Sequence, residues 1–308
     1  MALSRVEQLR TVSISDLIQN IFQRETPYID MSHHKDPRNY VVIVDGKYVL
    51  KIYGDKDRWK GEVENLVRIH PAGFHIPHLI DYGMINPYNG WVLTNLLPGT
   101  IMEKEPQYLD SKEKKAVWYK LGERFFQFHN ANTVNYKDAV VYSRKPPFPG
   151  IMYWDSILLQ YTEQKERITK NDFYGSENEY LKAFSQIEDW LTIQKKKDAV
   201  PLVMCHNDFS TRNILYQPDS FGLIDFEMGC YAPRESDFAQ LAMKLQKDGL
   251  FESFLDGYYS SRKPVLERNP KTIRMFILIK SVEICSWAYD RANDYYHLAF
   301  DMLKSISI

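Results

Sequence analysis

Three oxygen-bearing side chains in one stretch have the spacing that phosphoryl transfer needs: Asp208, Asn213 five residues later, and Asp225 twelve beyond that. In that chemistry one carboxylate orients an attacking hydroxyl and takes its proton. An amide oxygen and a second carboxylate ligate the Mg²⁺ that rides on the nucleotide phosphates. Two apolar runs flank the group, Pro201 to Cys205 and Phe221 to Ile224, and each reads as a short strand. The loop between them carries His206, Asp208, Arg212 and Asn213, and the second strand ends on Asp225. The competing reading is a plain β-hairpin whose polar loop residues make local turns. What separates the two is whether the rest of the chain supplies the partners that such chemistry requires.

The first partner is a cation for the phosphates. Tyr40 to Val44 and Lys47 to Tyr53 are β-rich runs joined by Asp45-Gly46, which predicts a two-residue hairpin turn with positive φ at both positions. Alternation puts Val49, Lys51 and Tyr53 on one face and Tyr48, Leu50 and Ile52 on the other. In residues 56 to 70, Trp59, Val63, Leu66, Val67 and His70 recur at helical spacing, and Pro71 helps end the helix. Glu62 and Glu64 both lie on it. Lys51 held by either one would suit the α- and β-phosphates, as the strand lysine and helix glutamate do in kinases. Solvated acids on an exposed helix are the alternative.

The order His206-Asn207-Asp208, then Asn213, then Ile224-Asp225-Phe226-Glu227 resembles the aminoglycoside phosphotransferase and choline kinase-like family. A protein kinase would read H-R-D and D-F-G, with a glycine-rich loop and an A-P-E segment, none of which is present. The resemblance implies an α+β, two-lobed protein-kinase-like fold. Residues 1–97 would form a small N-terminal β-sheet lobe that binds nucleotide, and 98–308 a larger, mainly helical lobe for catalysis and the acceptor. It implies Asp208 as the catalytic carboxylate, Asn213 and Asp225 as metal ligands, and ATP with Mg²⁺ as cofactors, GTP remaining open. Lys51 and Glu62 would hold the phosphates; the family pattern E-x-x-x-L-x-x-L, matched by Glu62, Leu66 and Ile69, favours Glu62 over Glu64. Val49 and the backbone of Asn95 to Leu97 would complete the nucleotide contacts. The loop SHHKDPRN, residues 32 to 39, is where backbone would cover the phosphates.

His206 is expected to organise the loop, His129 to be structural, and Asp237, in YAPRESDFAQLAMKL, to cap a helix or brace the loop. Arg212 either reaches a phosphate or Asp208, or is a surface side chain. Glu227 is near enough in sequence to touch a second ion. Two helical patterns, 151 to 168 and 177 to 194, follow a flap at Lys145 to Gly150. Trp154, Asp155, Leu158, Tyr161 and Glu163 are acceptor-cleft candidates there, with core packing as the alternative. Helices over 247 to 261 and 271 to 303 close the chain; the last carries Glu283, Trp287, Asp290, Asp294, Tyr295 and Tyr296. Acids beside aromatics suit an amine acceptor, or simply a solvated face beside a packed one.

Composition excludes other classes. The chain has 308 residues and a net charge of −1, so neither nucleic acid nor an anionic membrane is expected as partner. Three scattered cysteines without a C-x-x-C pair argue against zinc and redox motifs. No long apolar run suggests a leader or a membrane span, and the expected location is cytoplasmic. The expected function is transfer of the γ-phosphoryl group to a hydroxyl of a small molecule, aminoglycoside-like or a metabolite such as choline, homoserine or a thiamine-like alcohol. The alternatives are an idle kinase-like binding protein and a kinase acting on protein.

Overall fold

The computed structural model describes Leu9 and residues 11–32, 38–104, 109–134, 153–196, 202–245, 249–260 and 267–306. Residues 33–37 of the expected phosphate-covering loop and the flap at 145–150 lie outside them. The chain divides into two compact units, Met1–Met102 with Asn213–Gly229, and Glu103–Arg212 with Cys230–Ile308.

In chain order, the first unit begins with helix α1 (Ile14–Phe22), strands β1 (Tyr28–Asp30), β2 (Asn39–Val44) and β3 (Tyr48–Tyr53), and helix α2 (Lys56–Arg68). Strands β4 (Leu79–Met84), β5 (Gly90–Asn95) and β6 (Thr100–Ile101) follow. The second unit contributes helix α3 (Ser111–Ala131), strand β7 (Thr133–Val134), helices α4 (Tyr153–Lys170) and α5 (Glu177–Gln194), and strand β8 (Leu202–Cys205). The chain re-enters the first unit for β9 (Ile214–Gln217) and β10 (Ser220–Leu223). It ends in the second with β11 (Cys230–Ala232), α6 (Phe238–Lys244), α7 (Leu250–Tyr259), α8 (Pro270–Ala288) and α9 (Asn293–Ile306).

The first unit is built on an antiparallel sheet in the order β1-β2-β3-β5-β4. One face buries Val42, Val44, Leu50, Ile52 and Leu93 against Leu9 and Ile18, as the alternation of β2 and β3 predicts. The other face carries Tyr53 and Val92, which pack on Val63 of α2. Asp45 and Gly46 do take positive φ, 54° and 62°, but Val44 pairs with Tyr48. Lys47 is therefore a third loop residue, its N–H donating to Val44 O at 3.1 Å, where the sequence predicts two.

Helix α2 starts on Asp55, whose side chain accepts from the N–H of Asp57. Its buried face differs from the predicted stripe. Val67 is 68% exposed, while Glu62 and Asn65 are buried. The reason is the neighbour: Asn65 donates to the backbone of Phe226 and Gly229 at 2.8 and 3.0 Å, so this face is matched to a polar turn.

In the second unit, α3 and α7 pack tightly together, with Gly122 against the backbone of Phe254 and Gly257 against the backbone of Tyr119. Strands β7, β8 and β11 form a small sheet in the order β11-β8-β7, and β6, β9 and β10 another in the first unit, in the order β10-β9-β6. The two apolar runs around Asp208 thus belong to different sheets, which excludes the plain hairpin reading. The predicted helix over 271 to 303 is two helices, broken at 289–292. Trp154 packs against Trp190 and Phe276, Tyr161 is buried beside Phe184, and Asp155 pairs with Lys195 at 2.8 Å. The core reading therefore holds for both aromatics.

Candidate active site

Lys51 is the centre of the first unit's polar cluster. It projects from β3 on the α2 side, its Nζ 4.8 Å from the centre of the Tyr53 ring. It donates to Glu62 at 3.0 Å, to Asp225 at 2.5 Å and to Glu227 at 2.9 Å. Glu62 also accepts from the Tyr53 hydroxyl at 2.7 Å and from the N–H of Phe226 at 3.2 Å. Of the two candidate glutamates, Glu62 is the one on Lys51; Glu64 pairs with Lys60 on the same helix. Glu227 is held from two further sides, by Asn39 at 2.8 Å and by Arg58. Asp225 takes positive φ, 70°, a conformation open to Asp at modest cost, and it is the most water-accessible carboxylate of the three.

The electrostatics follow from burial and pairing. Burial alone would lower the pKa of Lys51, but Asp225, Glu62 and Glu227 more than reverse this and hold it well above its ordinary value. Burial pushes Glu62 up, against the pull of Lys51. For Glu227 burial also acts upward, yet Lys51 and Arg58 together bring it down to about 2. Lys51 and Glu227 are therefore charged throughout the neutral range.

Can this set hold a cation? One carboxylate oxygen from each of Glu62, Asp225 and Glu227 lies within 4.8 Å of the others, a hard oxygen set that suits Mg²⁺. Asn213 reaches the same end of the β9–β10 hairpin, since the N–H of Ile224 donates to its carbonyl at 3.0 Å. Val49 lies on the Lys51 face of β3, paired with Ile43 and Thr94. At the expected adenine edge, the N–H of Asn95 donates to His78 O and that of Leu96 to Lys47 O; Leu97 lies beside Gly222.

In the second unit the loop after β8 is shaped by Asp237. Its carboxylate accepts from the N–H of His206 at 2.7 Å and of Asn207 at 2.6 Å, where Asn207 has φ 63°. Asp237 braces the loop and makes no side-chain cap to α6. His129, from α3, lies 3.2 Å from Asp237 through Nε2 and 2.7 Å from the Tyr258 hydroxyl through Nδ1. A proton on Nε2 satisfies both bonds, the tyrosine donating. Burial lowers the His129 pKa, opposed by Asp237. The N–H of Asp208 donates to His206 Nδ1 at 3.3 Å, which ties the ring to the turn. Arg212 pairs with Glu103 at 3.1 Å.

Sequence reasoning missed Arg58, Asn39 and Tyr258. Arg58 had a signal, since it precedes Glu62 by one helical turn and shares its face. Asn39 and Tyr258 had none; only the tertiary contacts expose them.

The sequence model of the phosphotransferase enzyme family, APH, matches residues 31–268. The chain belongs to this family. Its α+β kinase-like fold, with an N-terminal antiparallel sheet and a helical C-terminal region, is that of solved aminoglycoside phosphotransferases. A thermostable mutant of aminoglycoside phosphotransferase APH(4)-Ia superposes with a TM-score of 0.71 at 16% identity, covering 96% of this chain and 98% of that one. A thermostable mutant of APH(4)-Ia carrying a further substitution, in ternary complex with AMP-PNP and hygromycin B, gives 0.70 at 16% identity over the same shares. The GDP complex of aminoglycoside 2'-phosphotransferase-IIIa gives 0.62 at 15%, covering 95% and 96%. No curated protein matches the chain in sequence. Among the described residues no helix is long and apolar enough to cross a membrane.

Proposed function

We propose that this member of the family is a small-molecule kinase that moves the γ-phosphoryl group of ATP to an acceptor hydroxyl. The observation that carries the reading is the largely buried Lys51 bonded at once to Glu62, Asp225 and Glu227. A lysine so surrounded stays protonated and fixed in direction, ready to bind the α- and β-phosphates. Glu62 positions it; Glu227 tethers it from the other side and carries Arg58. Val49 and the backbone of Asn95 to Leu97 contact the base. Asn213 and Asp225 would hold Mg²⁺, which when bound spreads and neutralises charge on the phosphate oxygens.

Asp208 orients the acceptor hydroxyl and accepts its proton as the oxygen bonds to phosphorus and the bond to the ADP oxygen breaks. Asp237, His129 and Tyr258 fix the turn that presents Asp208, so catalysis is positioning and electrostatic stabilisation. Residues 1–97 supply the nucleotide contacts, and 98–308 the catalytic loop, metal ligands and acceptor contacts. Similarity to structures that hold AMP-PNP, ADP or GDP supports a purine nucleotide donor, ATP first and GTP second.

The test is ADP release from ATP and Mg²⁺ over a panel of hydroxylated acceptors, compared with Asp208→Ala. Acceptor-dependent release that disappears in the variant supports the kinase. Nucleotide binding with no turnover on any acceptor would favour an idle, kinase-like binding protein instead.

A further inference from the structure

Around the loop that carries Asp208, the second unit's charges are largely consumed by one another. Arg212, four residues on, donates Nε to Glu103 at 3.1 Å, and its guanidinium carbon stands 5.4 Å from the centre of the Tyr295 ring. Lys244 of α6 stands 5.3 Å from the same ring and 3.8 Å from Glu103. The ring is thus contacted by two cations that share one carboxylate. Lys280 of α8 donates to both oxygens of Glu283, at 3.1 and 3.0 Å. The Asp208 charge acts on both Lys280 and Tyr295, and Asp294 acts on Arg212 and Tyr295. Three of the chain's own cations are therefore already seated on acids, Arg212 and Lys244 on Glu103 and Lys280 on Glu283.

A ligand with several ammonium groups must exchange water for carboxylates that still have charge to offer. Cations already seated among those carboxylates repel it. Specificity against a charged class is commonly built in this way, by placing like charge where the unwanted ligand would sit. We propose that the acceptor is a small hydroxyl compound carrying at most one positive charge, and that Arg212, Lys244 and Lys280 exclude polycations such as aminoglycosides. This rests on the kinase reading above and names its substrate class.

The full-length protein is assayed with Mg·ATP for ADP release and phosphorylated product against three acceptor groups: aminoglycosides with several ammonium groups, choline-like amino alcohols with one, and uncharged sugars and nucleosides. Product confined to the last two groups is the expected result. Product from an aminoglycoside overturns the proposal, and so does product from none of the three groups. A thermal shift with Mg·ATP alone keeps the two levels apart. A protein that binds Mg·ATP but phosphorylates aminoglycosides defeats the substrate class only; one that binds no nucleotide defeats the kinase reading beneath it. A second arm removes the exclusion. Arg212→Gln combined with Lys244→Gln frees Glu103, and calorimetric binding of kanamycin at low salt should tighten about five-fold. Binding that does not tighten also overturns the proposal.

Discussion

Lys51 has three carboxylate neighbours, and two of them, Glu62 and Glu227, are more buried than the lysine itself. Lys51→Met would leave both without that cation, so it is expected to cost stability as well as nucleotide affinity. Breaking a buried pair costs about 3–5 kcal/mol, readable as a lower Tm and a lost Mg·ATP thermal shift. Asp208→Asn keeps the shape of the turn but cannot take a proton, so acceptor-dependent ADP release should fall by about 10²–10⁴-fold with Tm unchanged. His129 gives a pH signature. Its pKa lies below the ordinary 6.5 when folded, so the unfolded chain binds a proton that the folded chain refuses. Its contribution is full above the unfolded value and is lost as pH falls toward the folded one. Denaturant midpoints should therefore drop in acid, and drop less in His129→Gln. At this scale Lys51, Asp208, Asn213 and Asp225 stood out as candidates because their types and spacing are unusual. The choice of Glu62 over Glu64 came from a family pattern, and the contact to Lys51 agrees with it.

Elements decide how firmly those residues are held. Helices α3 and α7 cross at Gly122 and Gly257, where an added Cβ would meet the backbone of Phe254 and Tyr119. The same two helices carry His129 and Tyr258, which meet at 2.7 Å. Gly257→Ala should thus force the pair apart, at about 1–3 kcal/mol or more for overpacking a tight contact, seen as a lower Tm. Reduced turnover at temperatures where the variant remains folded would show that the spacing also serves the Asp208 loop. Periodicity foretold most helices and the β2–β3 hairpin, because burying one face imposes a pattern on sequence. It failed for the exposed Val67, where a polar turn, not an apolar layer, covers the helix. The single helix expected over 271 to 303 likewise missed the break at 289–292.

For the whole molecule, a metal's role can be separated from that of the fold. Lys51 and Arg58 already neutralise much of the charge on Asp225 and Glu227, so stripping divalent ions from the nucleotide-free protein should leave Tm unchanged. The same chelation should abolish ADP release, and Mg²⁺ should restore it. A drop in Tm on chelation would point instead to a structural metal.

The chain's order of residue types was enough to point to the phosphotransferase enzyme family and its kinase-like fold: a lysine in an apolar strand, acids on the next helix, and an Asp, an Asn and an Asp at set intervals. Such features are local, and local spacing is what a linear sequence records. Tertiary structure alone assigned residues 213–229 to the same unit as the first 102 and drew Arg58 and Asn39 onto Glu227. It alone joined His129, Asp237 and Tyr258 into one hydrogen-bonded set. Those contacts join residues more than a hundred positions apart, and they form because buried charges and polar groups must find partners wherever the fold brings them.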